Sequence, residues 1–185
     1  MGNAWGHFKT ITGHRLLVMV HCFGVGLYWQ GLTHDLSKYS WTEFRAGIRY
    51  YQGGKRSPNA AEREMCGYSE AWIHHKGRNK HHFEYWTDLD LKTNTYVPVP
   101  MPTKYLVEMV LDRMAACKVY RGKDYTDGSA LEYLVRARES SSLHPETLRK
   151  LIYLLTMLKE QGEKETFRFI RQVVLKGLPF GEEQA

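Results

Sequence analysis

Thr33-His34-Asp35-Leu36-Ser37-Lys38 sets an imidazole directly beside a carboxylate at the end of an apolar run. Adjacent side chains cannot share one face of a helix interior. They can converge on a cation where a helix ends and the backbone turns, so this segment predicts such an end. Seven of the nine histidines are His14, His21, His34, His74, His75, His81 and His82, more imidazoles within positions 14 to 82 than packing requires. The pairs 74/81 and 75/82 are seven apart, which is one face of a helix if the helix continues. Gly77 makes a loop flanked by histidines the other reading. One imidazole of each doublet normally binds while the other hydrogen-bonds or contacts substrate. His75 is favoured from the first doublet, and both His81 and His82 remain candidates from the second.

Asp112 lies mid-helix between Leu111 and Met114-Ala115-Ala116. A carboxylate on such a surface needs a partner, either a metal or, more commonly, a salt bridge to Arg113 or Arg78. Glu108 lies one turn earlier on the same face, and Glu108 and Glu84 are candidate bases or supports for the ligands. Imidazole and carboxylate donors without a thiolate set suit Fe, Mn, Zn, Ni or Co, and do not separate these from Mg. The set could hold one or two divalent ions, with Asp35 as the bridge. The chemistry expected is attack by metal hydroxide on a phosphate ester, with Asp35 and Lys38 as the catalytic residues. Phosphoryl transfer needs positive charge around the equatorial oxygens. Lys38, Lys76, Arg78 and Arg113 are near enough in sequence to supply it, and each could equally be a solvated surface cation. Asn79 could contact substrate. Trp72, Phe83, Tyr85 and Trp86 could stack a nucleobase, although large aromatics are more often core.

These residues need elements to hold them. The periodicity predicts helices nearly throughout and no strand. Residues 10–22 form a first helix, Phe23-Gly24-Val25-Gly26 a turn, and Leu27–Asp35 a second helix. If the two are antiparallel about Gly24, His14 and His34 meet, while His21 lies too near the turn. Ser40 and Glu43 read as a capping box opening a helix to Tyr51. The basic loop GGKRSPN follows, then a helix over 60–66. Ser69 caps Glu70–Lys76, and a further turn carries His81 to Trp86. Residues 87–102 read as a loop, a lid or a crossover. Thr103 caps a helix to Tyr120, and Ser129 with Glu132 forms a second capping box. His144 caps a helix beginning at Pro145. Its buried stripe is Leu148, Leu151, Ile152, Leu155 and Leu158. Gly162 ends it, and a last helix turns Phe167, Ile170, Val173 and Val174 inward. The expectation is a single domain over 1–185, with a core about 8–125 and C-terminal helices 129–177.

A chain of 185 residues can bury a substantial core, and 43% hydrophobic content excludes a disordered chain. The net charge of +6 favours anionic partners such as phosphate esters. Low-complexity basic tracts are absent, so nucleic acid is not the expected partner. Residues 16–32 are interrupted by His21, Gln30 and glycines, too broken for a spanning helix of about 20 apolar residues. No signal-peptide cleavage site follows that run, and Gly6 breaks a myristoylation pattern. Cys22, Cys66 and Cys117 form no CxxC pair and read as reduced, buried thiols of a cytoplasmic protein.

The order His, His-Asp, His, His, Asp resembles the HD-domain superfamily of metal-dependent phosphohydrolases. HDLSK is similar to that family's HDxGK turn, with Ser37 in place of glycine and Lys38 kept. LDRMAA is similar to the helix bearing its last aspartate. THDLSKYS with AWIHHKGRNKHHFEYW more narrowly resembles an uncharacterised bacterial HD-like branch over most of residues 8–175. The spacing from first histidine to His34-Asp35 is shorter than usual for the superfamily. The resemblance implies an HD-like bundle of about seven or eight helices. It also implies His14, His34, Asp35, one histidine of each doublet and Asp112 as ligands, and a small phosphorylated substrate such as a nucleotide. Alternatives are a di-iron oxygen-using enzyme of the same superfamily and a non-catalytic metal- or nucleotide-binding module.

Overall fold

Gly26 is where the first apolar run folds back on itself. Its φ of 89° lies in the left-handed region, which glycine enters without steric cost. The Leu27 amide then donates to the Cys22 carbonyl at 2.9 Å, closing the end of the preceding helix. The computed structural model describes residues 2–137 and 142–181. On either side of this turn are α1 (Gly2–Val25) and α2 (Tyr28–Thr33). A Cβ on Gly31 would come within 3.0 Å of Cys22 Cβ, so glycine lets α2 lie close against α1. The expected hairpin is present, with its turn two residues later than Gly24. Helix α1 begins earlier than expected, since nothing in residues 3–9 breaks it and Trp5 stacks on Phe8 one turn on. No helix is long and apolar enough to cross a membrane among the described residues.

The remaining α-helices and strands are α3 (Trp41–Arg49), α4 (Pro58–Cys66), α5 (Glu70–Lys76), β1 (Thr87–Asp90), β2 (Thr95–Pro98), α6 (Thr103–Arg121), α7 (Ser129–Arg136) and α8 (Pro145–Gln172). The fold is all-α, with eight helices and one antiparallel hairpin of strands among the described residues. That hairpin corrects the loop expected over 87–102. Its strands are mostly exposed, so no apolar alternation marked them in the sequence. Asn94 takes a left-handed conformation in the turn, which asparagine tolerates.

Three caps also differ. Pro102, not Thr103, precedes α6 and gives no side-chain bond. Ser129 is the first residue of α7, and its hydroxyl accepts from the Thr126 amide rather than capping the helix. Ser40 does accept from the Glu43 amide, but the Glu43 carboxylate turns away to α5 instead of completing a capping box. His144 caps α8 as expected, and Gly162, with φ 78°, interrupts it.

Helix α6 runs through the middle of the core. Leu106, Val110, Leu111 and Met114 are fully buried against α1, α7 and α8. On α8 the buried stripe is Leu151, Leu154, Leu155 and Leu158; Ile152 is 42% exposed, one position off the inward face. An apolar cluster runs from Val18 on α1 to Phe180. All three cysteines are free, but Cys66 is exposed rather than buried.

Candidate metal centre

Helix α2 stops at Thr33, and the next two residues make the turn that brings their side chains together. His34 is extended (φ −50°, ψ 125°), and Asp35 is left-handed (φ 54°, ψ 25°). Few residues other than glycine adopt such a φ, aspartate and asparagine among them. A 3₁₀ turn, Leu36–Tyr39, begins immediately, anchored by the Lys38 amide on the Asp35 carbonyl. The two side chains thus point into the same buried space, and Asp35 Oδ2 stands 3.4 Å from His34 Nε2.

Around Asp35 the donors divide into two groups. Its Oδ1 faces His75 Nε2 at 3.3 Å and His81 Nε2 at 3.4 Å. On the other side, Asp112 Oδ1 is 3.4 Å from His34 Nε2 and 2.9 Å from His14 Nε2. Asp35, His75, His81 and His82 can each place a ligand atom within 4.8 Å of the others, and so can His14, His34, Asp35 and Asp112. The buried groups could hold a metal ion. Donors about 2.0–2.2 Å from a cation lie roughly 3.0–3.5 Å apart on an octahedron or tetrahedron, close to the separations here. The unsatisfied atoms support the fit. His34 Nε2, His81 Nε2, His82 Nε2 and Asp35 Oδ1 are buried without a hydrogen-bond partner among the described residues. Such atoms are costly unless something satisfies them.

Carboxylates hold the imidazoles from behind. Glu108 Oε1 accepts from His34 Nδ1 at 3.0 Å and lies 3.1 Å from His81 Nδ1. Glu43 Oε2 accepts from His75 Nδ1 at 2.8 Å, and its Oε1 from His74 Nδ1 at 2.7 Å. With Nδ1 bearing the proton, His34, His75 and His81 offer their Nε2 lone pairs inward. Carboxylate-braced histidine of this kind is usual for metal ligands. Glu108, His34 and His81 form a third grouping of donors, but its distances are those of this bracing.

Helix α5 ends at Lys76, so the two doublets do not share a helix face. The chain wraps instead, pinned by Asn79, whose amide nitrogen donates to Ser37 Oγ at 2.7 Å and to the His75 carbonyl at 2.8 Å. Asn79 is a buried tie between the two histidine segments, not a residue of the cavity wall. His21 lies apart, against Lys118 and Glu163.

Electrostatics follow the geometry. Burial opposes charge on His34, but the nearby carboxylates of Asp35 and Asp112 and the bond to Glu108 outweigh it and raise its imidazole well above the ordinary range. His75 is raised in the same way by Asp35 and Glu43. Burial and Lys38 lower His14. Burial, with the charges of His81 and His75, pushes His82 well down. Burial disfavours charge on Asp35 and Asp112, yet their neighbours hold both well below the usual carboxylate range: His34 and Lys38 for Asp35, His14 and His34 for Asp112. Lys38 stands 2.6 Å from Asp35 Oδ2 and stays protonated against its burial.

A cavity of about 610 Å³ opens onto the centre, with His14, Lys38, His75, His82, Asp112 and Arg113 in its wall. Of the expected substrate contacts, Lys38 and Arg113 reach it. Lys76 and Arg78 do not, and Arg78 bonds the His74 carbonyl instead. Asp112 pairs with His14 and His34, not with Arg113 or Arg78. Trp72 and Phe83 line the cavity; Tyr85 and Trp86 do not. Glu43 and His7 were not expected here. Glu43 looked spent on its own helix cap, and a lone His7 carries no pattern.

A family model described as "Family of unknown function (DUF5662)" matches residues 3–157. The chain belongs to this family. No curated protein and no solved structure gives a significant match. In this DUF5662 member the matched stretch contains both ligand groups and both bracing glutamates, and it ends within α8.

Proposed function

We propose that this chain is a metal-dependent phosphohydrolase of the HD type, acting on a nucleotide or another phosphate ester. One observation carries the reading: two groups of buried donors share Asp35, with unpaired ring nitrogens turned towards it. A divalent cation bound there would polarise a phosphoryl oxygen and lower the pKa of a water molecule. The chain's own residues do the rest. Burial holds His14 and His82 towards the neutral form that a metal ligand requires. Glu43 and Glu108 fix the rings of His34, His75 and His81. Lys38 remains an ammonium in the cavity wall, beside Asp35, and Arg113 lies next to Asp112. Together these two cations can receive the equatorial oxygens of a phosphoryl group. The burial of His34, Asp35, His75 and His81 lowers the local dielectric at the floor of the cavity and strengthens those interactions.

The test is a panel of phosphomonoesters and phosphodiesters, nucleotides included, with Fe, Mn, Co, Ni, Zn and Mg in turn. Phosphate release is expected with at least one metal. His34→Ala and Asp35→Asn should each lose metal and activity while keeping helical content. Asparagine tolerates the left-handed backbone at position 35, so that variant isolates the lost charge. Metal retained in both variants would refute the site. Oxygen uptake by the iron-loaded protein without phosphate release would favour an oxidase, and metal binding without either activity a non-catalytic module.

A further inference from the structure

The cavity extends along α6 well past the ligand groups. Asp112 and Arg121 both line it and lie nine residues apart on that helix. At 1.5 Å of rise per residue that is roughly 13.5 Å. The cations of the wall fall into two sets. Lys38 and Arg113 adjoin the ligands. Lys55 and Arg56, between α3 and α4, join Arg121 and Arg136 at the ends of α6 and α7 as the second.

The second set is only half neutralised. Arg56 pairs with Glu64, and Arg121 with Glu132. Lys55 and Arg136 are exposed and have no ion pair among the described residues. Two of the acids in the wall, Glu43 and Asp112, are committed to histidines. Tyr120 on α6 and Tyr133 on α7 also line the cavity, 44% and 43% exposed. Aromatic faces beside cations suit a planar ring that carries a negative group. The volume suits a ligand much larger than a lone phosphate.

We infer that Lys55 and Arg136, with Tyr120 and Tyr133, form a second anion subsite. The substrate is a nucleotide-like phosphate ester with a further anionic group remote from the scissile phosphate. Placement of the first phosphate rests on the hydrolytic reading above; the second subsite needs no metal. It also explains the basic loop GGKRSPN, which the hydrolytic site leaves without a role.

The probes are adenosine 3′,5′-bisphosphate and AMP, titrated by calorimetry at about 150 mM salt, where exposed charges act only within a Debye length of about 8 Å. The bisphosphate should bind at least about tenfold more tightly than AMP, since charge-assisted hydrogen bonds are the strong ones. The double variant Lys55→Ala/Arg136→Ala should cut that advantage to less than about threefold, with metal content and helical circular dichroism unchanged. Lys55→Arg/Arg136→Lys should keep it. Equal binding of the two probes by the unaltered protein, or a preference untouched in the alanine variant, would overturn the subsite. The same titrations on EDTA-stripped protein separate the two readings. A bisphosphate preference there, in a chain that retains no metal when reloaded, keeps the subsite and removes the hydrolase.

Discussion

Glu43 and Glu108 decide which nitrogen His34, His75 and His81 turn inward. Glu108→Gln and Glu43→Gln keep shape and one acceptor but lose the charge that raises ligand basicity. Each should weaken metal binding by roughly 10- to 100-fold with helical content unchanged; equal affinity would remove the bracing role. Glu108 was legible, because i and i+4 share a helix face and Asp112 marks that face. Glu43 was not, because its local sequence offers it a cap, and only the packing of α3 on α5 offers it two imidazoles. Asp35, aided by these two glutamates, sets a pH dependence. His34 and His75 are raised above 6.5 in the metal-free protein, so their charged forms stabilise that state fully below about 6.5. This contribution fades as the pH rises through their raised values. A metal needs the neutral rings, so at pH 7 it must displace protons, and affinity should fall with falling pH. Calorimetry at pH 7 in buffers of different ionisation enthalpy should report proton release; a binding enthalpy independent of buffer would contradict this.

The hairpin of α1 and α2 is the element that brings His14 to His34, and one backbone angle holds it. A Cβ on Gly26 would meet nothing within 4 Å, so Gly26→Ala tests conformation alone. An L-residue in the left-handed region costs roughly 1–2 kcal/mol. Urea denaturation of Gly26→Ala should show that loss as a lower midpoint with an unchanged m-value. An unchanged midpoint would mean that the turn has another route. This hairpin was readable because a glycine pair interrupts an apolar run and the His-Asp pair ends it. The strands over 87–98 were not, because exposed strands leave no apolar alternation. The end of α5 at Lys76 was readable from Gly77, but the path of the chain beyond it was not, because Asn79 anchors it to Ser37 across 42 positions. Helix starts and stops follow local chemistry; how the histidine loop wraps depends on a partner distant in sequence.

At the scale of the whole molecule, one core and one polar cage share α6. Its Val110, Leu111 and Met114 are fully buried, while Glu108 and Asp112 on the same helix serve the histidines. The all-α class was visible in the helical periodicity. The cavity was not, since its wall draws on residues from His7 to Arg136 with no common motif. Sharing a helix has a thermodynamic consequence. The donors come from α1, the turn after α2, α5, the loop after it and α6, so an unfolded chain cannot bind a cation in this way, and binding adds to stability. At a free metal concentration 100 times Kd that is about 2.7 kcal/mol. For a chain of this length it corresponds to a rise in Tm of roughly 5–11 °C, at about 2–4 °C per kcal/mol. Leu155→Ala, a fully buried truncation on α8 outside the cage, should cost about 2–5 kcal/mol with and without metal. If cage and core are energetically separate, the increment in Tm from metal stays the same in that variant. An increment that shrinks with the core would show that the cage forms only on a fully packed α6.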